Sequence, residues 1–483
     1  MRRRVLLPPL CLAAACSSTD NGTVQIVITD PTTFTAPPAV TTLSVFADGA
    51  DGGAPSPLAT ATLPDMTIDL GSQNENNVES FQVTGAAANG AEVVAGSTLP
   101  FQLGELAGLT LPIFVQRLGQ LVSLPPGPPM GDTRQSPLVA EFQGQYLFIG
   151  GGSDASLATT TQLYDFAQFA LLSAPPALVT ESNAPLAPVS VAFVGTVALF
   201  IDASGAATYF DFSGDSAPAD VAAPVGGRFA DVAGGATVIA PDGTEFIVGA
   251  TRNGASATAT DVVLEINPND VSSAAYPNGN LAWLSLSASR LGASATWVSG
   301  FGLVVTGGSQ TASGAELLAL PPSTSTATTA TTPTVANGKA LPYSPDPSVG
   351  AGAVTFQGST VLLAGGVVGL AGAIGFQDAG VRTIDVGCTA APCPVTPWVS
   401  ALPEPIESAQ AFALNPAEAF VVGNEPLTGS THAFLLTMTS ATEVKTAVPH
   451  TNATATLSPV GSIVVVGGAS DIESFLPPVM STP

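Results

Sequence analysis

The residues that could carry chemistry in this sequence are few, and their spacing matches no catalytic motif. His432 and His450 are the only histidines among 483 residues, so a multi-histidine metal site is excluded and a Ser-His-Asp triad has few candidates. The chain lacks G-x-S-x-G, H-E-x-x-H and G-x-x-x-x-G-K. A carboxylate pair for glycoside chemistry stays open, because 36 acids allow many pairs. We expect no metal and no cofactor, and a non-catalytic protein is favoured over an enzyme.

The first cysteines belong to an export signal. Three arginines at positions 2–4 precede a short apolar run, which is typical of a signal peptide over residues 1–15. Ala13-Ala14-Ala15-Cys16 resembles the bacterial lipobox, although Ala13 stands where leucine is usual. This resemblance implies a lipid on Cys16, a tether over residues 16–22 and, with Ser17 next, sorting to the outer membrane. The alternative is a plain secretory signal with an incidental cysteine.

The other two cysteines, Cys388 and Cys393, are expected to pair with each other. An exported chain folds in an oxidising compartment, where an even number of cysteines is most simply a disulfide. Two cysteines without a nearby histidine make a poor zinc site. The sequence therefore predicts a structural bond rather than a metal centre.

The charge balance excludes one class of partner. The formal net charge is −25, with 36 acidic and 11 basic residues. Nucleic acid phosphates require a basic surface, and an acidic chain is not attracted to anionic lipid. No segment predicts a transmembrane helix, so we expect membrane contact only through the lipid anchor.

An apolar strand that runs into a glycine turn recurs along the chain. Its equivalent positions are Gly151, Ala203, Gly249, Gly307, Gly365, Gly423 and Gly467. The steps from 249 to 307, from 307 to 365 and from 365 to 423 are each 58 residues. A period near 50 residues indicates stacked supersecondary units, and four strand-like segments in a unit are the content of one propeller blade.

The units also resemble a known repeat. An apolar strand, paired glycines, a third strand ending in Tyr-Asp or Ile-Asp, and a fourth strand bearing tryptophan are similar to the kelch repeat. An arginine at the start of the first strand is part of that pattern, and Arg134, Arg228 and Arg290 match it. The resemblance covers residues 117–483 and implies a seven-bladed kelch-like β-propeller, with six blades as the alternative because the unit at Ala203 is weak. Kelch propellers serve unrelated functions, so no activity is implied.

Two further predictions concern the start of the chain. Five to seven short alternating strands in residues 23–116 predict a small immunoglobulin-like β-sandwich. The last repeat lacks a fourth strand, and Leu121–Pro125 has the composition of the missing one. We therefore expect this N-terminal segment to complete the last blade, which removes both free edges.

Counting 17 residues back from four glycine positions finds a candidate channel mouth. The residues are Arg134, Arg290, Ser348 and His450. The first strand of a blade is the innermost, so these side chains could ring one mouth of the central channel and bind an anion. The alternative is structural: each arginine donates to main-chain carbonyls.

The fifth unit carries the candidate binding loop. Residues 367–377 form a long apolar connection containing Val368, Leu370, Ile374 and Phe376. A threonine-rich stretch, residues 323–345, is interpreted as the connection between blades, which would place both on one face. Long loops with a composition of their own often carry function. The alternative is a loop folded over its own blade.

The sequence thus predicts a monomeric, non-catalytic recognition module anchored at the bacterial cell envelope, with a protein or glycan partner. Two other functions stay open. One is an envelope hydrolase or lyase that uses carboxylates on the propeller face, and the other is a structural surface spacer.

Overall fold

The computed structural model describes residues 22–48, 57–70, 78–102, 110–127, 129–172, 177–213, 217–249, 259–268, 281–319, 338–368, 377–378, 380–399 and 401–478. Within these ranges the chain is built of strands, joined by turns and short 3-10 segments such as Phe229–Asp231. The all-β prediction is confirmed. No helix of the described residues has the length and apolar character needed to cross a membrane.

The N-terminal strands form a two-layered sandwich. One sheet has the order β4-β1-β8, and the other has the order β3-β2-β5-β6-β9 with β7 added on β5. The strands are β1 (Thr23–Val27), β2 (Val40–Asp48), β3 (Ala59–Thr62), β4 (Thr67–Asp69), β5 (Val78–Ala87), β6 (Glu92–Ser97), β7 (Phe101–Gln102), β8 (Thr110–Phe114) and β9 (Gln116–Arg117).

Alternation of side chains explains the core of this sandwich. Every second residue of a strand faces the same way, and Val24, Val45, Phe81 and Ile113, which come from both sheets, are fully buried in one cluster. The first and last long strands, β1 and β8, pair in parallel. This is the predicted small immunoglobulin-like sandwich.

Seven four-stranded antiparallel sheets follow, and each is one blade. Blade one is β11 (Leu138–Phe142), β12 (Tyr146–Gly150), β13 (Thr161–Asp165) and β14 (Ala170–Leu171); blade two is β15 (Pro188–Val194), β16 (Val197–Asp202), β17 (Ala207–Asp211) and β18 (Ala219–Asp220); blade three is β19 (Ala236–Ile239), β20 (Glu245–Val248), β21 (Thr260–Ile266) and β22 (Leu281–Arg290); blade four is β23 (Ser294–Val298), β24 (Gly302–Thr306), β25 (Ala315–Leu318) and β26 (Lys339–Ala340). Blade five is β27 (Gly352–Gln357), β28 (Thr360–Ala364), β31 (Val381–Asp385) and β32 (Thr396–Val399), with a separate ribbon of β29 (Val367–Val368) and β30 (Gln377–Asp378); blade six is β33 (Glu407–Asn415), β34 (Glu418–Asn424), β35 (Thr431–Thr437) and β36 (Ala441–Glu443); blade seven is β37 (Thr454–Leu457), β38 (Ile463–Val466), β39 (Ile472–Phe475) and β10 (Leu121–Ser123).

The second strands are apolar because neighbouring blades cover both of their faces. Leu303 and Val305 pack with blade three, whereas Val304 packs with blade five. Each second strand then turns tightly against the next blade. A Cβ atom on Gly307 would lie 2.7 Å from the carbonyl oxygen of Ser348. The backbone there has φ +73°, so the turn requires glycine.

The ring closes as the sequence predicts. Leu121 pairs with Phe475 and Ser123 pairs with Glu473, so β10 is the fourth strand of blade seven. The seven blades are thereby confirmed, including the weak unit at Ala203, whose second strand β16 is fully paired on both sides.

The propeller has two faces. We call the face where the second strands end the glycine face; it is marked by Gly151, Gly307, Gly365 and Gly467. The opposite face carries the hairpins between first and second strands, and we call it the hairpin face.

The prediction for the threonine-rich stretch is wrong. Lys339 and Ala340 pair with Leu317 and Glu316 as the fourth strand of blade four. The stretch therefore joins the third and fourth strands of one blade and is not a connection between blades. A third strand ends at the hairpin face, so the stretch departs from the face opposite to the apolar loop.

Candidate binding face

The four predicted channel-mouth residues are all in the interior. The exposed fraction is 1% for Arg134, 0% for Arg290, 2% for Ser348 and 3% for His450. Each precedes the first strand of its blade. The side chains of Arg134, Arg290 and His450 also contact the carbonyl oxygen of the turn glycine in the same blade.

Arg290 shows what the position does. Its Nη1 donates to the carbonyl oxygen of Gly307 at 2.7 Å, and its Nη2 donates to that of Ser313 at 2.6 Å. Nε and Nη2 also donate to Glu316 Oε1, at 3.0 and 2.8 Å. Glu316 is itself fully buried and accepts from the Ser287 amide through Oε2 at 2.6 Å. This ion pair is buried with its hydrogen bonds made, the condition under which a buried pair is tolerated.

Blades one and seven repeat the arrangement with other residues. Arg134 donates to Gly151 O at 3.3 Å and to Asp132 Oδ2 at 2.6 Å. Burial alone would raise the pKa of Asp132, but the hydrogen bonds and charge of Arg134 hold it below its usual range. In blade seven, His450 Nδ1 lies 2.7 Å from Gly467 O and Nε2 lies 3.3 Å from Glu473 Oε1.

In blade five the cation comes from a different strand. A serine, Ser348, stands before the first strand where blades one and four have an arginine, and the positive charge is supplied by Arg382 in the third strand, β31. Arg382 Nη2 donates to Ser348 Oγ and to Asp346 Oδ2, both at 2.7 Å. Burial of Asp346 would raise its pKa, yet the Arg382 charge and hydrogen bonds from Ser348 and Arg382 bring it below the usual range.

This geometry favours the structural alternative for the four residues. The side chains of Arg134, Arg290 and His450 are directed at the glycine turn and at an acid of the same blade, and the Ser348 hydroxyl accepts from Arg382. An anion in the channel would therefore not meet them. Arg228 does not share the position: its side chain is 78% exposed and pairs with Asp231. Val232, fully buried, is the residue 17 before Gly249.

The glycine face of blade five carries an extra two-stranded ribbon. Within the residues that the structure describes, the other blades have no such ribbon. Between its second and third strands, β29 and β30 pair as an antiparallel ribbon. The ribbon is fixed at its base, because Val349 and Val367 exchange two main-chain hydrogen bonds of 3.1 and 3.0 Å. Val349 follows Ser348, so the base of the ribbon adjoins the Arg382 network.

The ribbon holds the two described ends of the predicted binding loop, Val367–Val368 and Gln377–Asp378. Val368, in β29, is half-buried, and Val367 beside it is fully buried. Leu370, Ile374 and Phe376 lie outside the described residues. The ribbon therefore fixes where both ends of the apolar loop leave the propeller: at the glycine face, beside the connection between blades four and five.

A buried acid on the hairpin side was not foreseen. Glu245 is 5% exposed and accepts a hydrogen bond from the Phe193 amide of blade two at 3.0 Å. Burial raises its pKa to about 8, and the nearby charge of Glu141 adds to the shift. Glu141 is exposed, so this is not a pair of buried, converging acids.

Aligned strand pairings show why Glu245 is unusual. The equivalent residues of the other blades are aliphatic and at most 2% exposed: Leu147, Leu199, Leu303, Val361, Ala419 and Ile463. Comparing the repeats position by position would have found it, because a carboxyl group stands where six other blades have a hydrocarbon side chain.

Cys388 and Cys393 lie at disulfide distance, with their Cα atoms 6.1 Å apart. The amide of Cys393 donates to Pro342 O at 2.7 Å, which ties the loop to the connection before blade five. Within the described ranges, no three His, Cys, Asp or Glu side chains are grouped as a metal site would require.

The strand order defines a seven-bladed β-propeller with an N-terminal sandwich. No family model matches the chain, and no curated protein matches it. Solved structures with some likeness include YCF48 bound to a D1 peptide, with 10% identity, TM-score 0.43, and coverage of 75% of this chain and 97% of that chain. The Pan2 WD40 domain of Neurospora crassa has 12% identity, TM-score 0.42 and coverage of 74% and 94%. The computationally designed Ika8 protein has 11% identity, TM-score 0.38 and coverage of 74% and 99%. We take no function from these likenesses.

Proposed function

We propose that the chain is an exported, lipid-anchored recognition module that binds a protein or glycan at the cell envelope through the glycine face of blade five. One observation carries the proposal. The ribbon β29–β30 is an addition to the four-stranded blade, its base is fixed by the Val349–Val367 hydrogen bonds, and the sequence at its end is apolar. A blade needs no such ribbon for its own closure, whereas an exposed apolar loop commonly marks an interaction surface.

The test is affinity capture from an envelope extract with the mature chain as bait. Replacing Leu370, Ile374 and Phe376 with serine should abolish capture of the partner and leave the melting temperature nearly unchanged. A matched control replaces three exposed apolar residues of the hairpin face, Ile239, Met438 and Leu457, which are 62%, 62% and 52% exposed. Capture should survive that change. A large fall in melting temperature of the loop variant would show that the loop belongs to the core instead.

The anchoring has a separate test. The lipobox-like Ala13-Ala14-Ala15-Cys16 supports cleavage before Cys16 and its acylation. Intact mass of membrane-extracted protein should show residues 1–15 missing and diacylglycerol on Cys16. A soluble product with an unmodified cysteine would refute anchoring and leave the binding proposal intact.

A further inference from the structure

The sandwich is fixed to the propeller on the hairpin side of blades seven and one. Ser97 Oγ donates to the carbonyl oxygen of Val460, in the hairpin of blade seven, at 2.8 Å. Gln116 Nε2 donates to Ser474 O, in the third strand of that blade, at 3.1 Å. These contacts join side chains of the sandwich to main-chain atoms of the propeller.

Apolar packing and the short connection reinforce this joint. Phe114 of β8 meets Phe169 of blade one edge-on, with ring centroids 6.2 Å apart, and both belong to one buried cluster with Leu124 and Val464. Residues 118–120 are the whole connection between β9 and β10. The Leu118 amide donates to Val93 O in the sandwich, and the Gly119 amide donates to Leu476 O in the propeller. A connection held on both sides leaves no free hinge.

Strand direction places the beginning of the described chain. At the Val27 end of β1, Thr29 Oγ1 donates to Ser123 O of blade seven at 2.7 Å. Thr23, at the other end of β1, pairs with Thr110 at the start of β8. A five-residue strand is roughly 13 Å long at about 3.3 Å per residue. The chain therefore enters the sandwich at its far end and runs toward the propeller.

We infer that the sandwich is a rigid spacer that holds the hairpin face toward the tether and turns the glycine face away from it. This rests on the proposed function for the anchor and for the site. A partner of the glycine face must then approach from the side away from the anchoring membrane. The class of partner that fits is a macromolecule that is soluble or carried by an opposing surface, rather than a component of the membrane that holds the tether.

Energy transfer to a membrane tests the orientation without any partner. Residues 1–21 are replaced by a histidine tag, and the protein is bound to vesicles that contain nickel-chelating lipid and an acceptor-labelled lipid. Blade six offers a matched pair of reporter sites: Leu427 on the glycine face, 79% exposed, and Ala417 on the hairpin face, also exposed. Donor dye is attached to L427C in one sample and A417C in the other, while Cys388 and Cys393 stay oxidised.

Transfer should be clearly more efficient from A417C than from L427C. Either of two results would overturn the inference. Equal efficiencies would mean that the sandwich moves freely relative to the propeller, and reversed efficiencies would mean that the glycine face is the one nearer the membrane. A second measurement concerns the partner class: chain immobilised by its N-terminus should capture the partner from extract, and chain immobilised through L427C should not. If neither captures while the transfer difference is present, the recognition proposal fails and the orientation stands.

Discussion

Arg382 donates to Ser348 across blade five, Nη2 to Oγ at 2.7 Å, and together they perform the task of one arginine in blade one. There, Arg134 precedes the first strand, and the neutral Gln162 occupies the third-strand position of Arg382. Gln162 Nε2 donates to Asp132 Oδ2 at 2.9 Å. The acids are also equivalent, because Asp132 lies two residues before Arg134 and Asp346 lies two residues before Ser348. Both blades therefore place an arginine beside the equivalent aspartate. In blade one the arginine precedes the first strand, and in blade five it comes from the third strand.

This relationship predicts the outcome of a double substitution. Arg382→Gln alone leaves Asp346 largely buried without its cation, and we expect a loss on the order of 3 kcal/mol in the free energy of unfolding. Ser348→Arg together with Arg382→Gln rebuilds the blade-one arrangement and should recover most of that loss. Chemical denaturation of the wild type, both single variants and the double variant gives the coupling energy.

The acid limb of the stability curve supplies a check on the same cycle. The pKa of Asp346 is lowered in the folded protein, so its pairing contributes stability above the unfolded pKa that is lost as the pH falls through the folded value. Arg382→Gln should flatten this acid dependence, and the double variant should restore it. Additive effects of the two substitutions would contradict the exchange.

A fixed count from the glycine turns finds the buried position in every blade. Besides the four polar residues, Leu186, Val232 and Ile406 lie 17 residues before Ala203, Gly249 and Gly423 and are at most 1% exposed. Matching Arg228 to the arginine of the kelch pattern was wrong, because Arg228 lies 21 residues before Gly249 and its side chain is exposed. A fixed count could not find Arg382. The number of residues between the second and third strands differs from blade to blade, and in blade five this connection spans residues 365–380.

Ring closure and the strands of the sandwich could be predicted because alternation and strand composition are local signals. The fourth strand of blade four could not, since β26 is only Lys339–Ala340 and so short a strand has no periodicity. The apolar loop was found from composition, but its ribbon was not, because β29 and β30 contribute two residues each.

Glu245 predicts a loss of stability in the alkaline direction. Its folded pKa, about 8, lies above the ordinary value of 4.5. Its contribution is therefore fully present below pH 4.5 and declines as the pH rises to 8, by roughly 4 kcal/mol as an order of magnitude. Glu245→Gln cannot ionise and should show a flatter stability profile from pH 5 to 9, measured by urea unfolding.

Two control variants separate burial from charge. Glu245→Leu restores the aliphatic side chain of the other six blades and should also flatten the profile, although it leaves the Phe193 amide without its acceptor. Glu141→Gln removes the neighbouring charge and should reduce the alkaline loss only in part, since burial is the larger cause of the shift. Parallel profiles for wild type and Glu245→Gln would show that the carboxyl group ionises freely.

Closure by β10 predicts different outcomes for two truncations. Removing residues 17–116 keeps Leu121–Ser123 against β39 and should leave a cooperatively folded propeller, with some loss from exposing Phe169 and Leu124. Removing residues 17–130 leaves β39 as a free, apolar edge and should cause aggregation or loss of the cooperative transition. Calorimetry and size-exclusion chromatography compare the two, and equal melting temperatures would place closure elsewhere.

The disulfide should contribute little to stability and much to local order. The loop between Cys388 and Cys393 is short, so the chain-entropy model gives about 2 kcal/mol at most. Thiol labelling of the unfolded, unreduced protein should find neither cysteine free.

Replacing both cysteines, by Cys388→Ser with Cys393→Ser, should lower the free energy of unfolding by no more than about 2 kcal/mol, because the amide of residue 393 can still donate to Pro342 O. Hydrogen exchange of that amide should nevertheless accelerate in the variant, because the loop that carries it is no longer cross-linked. A loss well beyond 2 kcal/mol would mean that the loop supports the packing of blades four and five, where Cys393 shares a cluster with Leu341 and Tyr343.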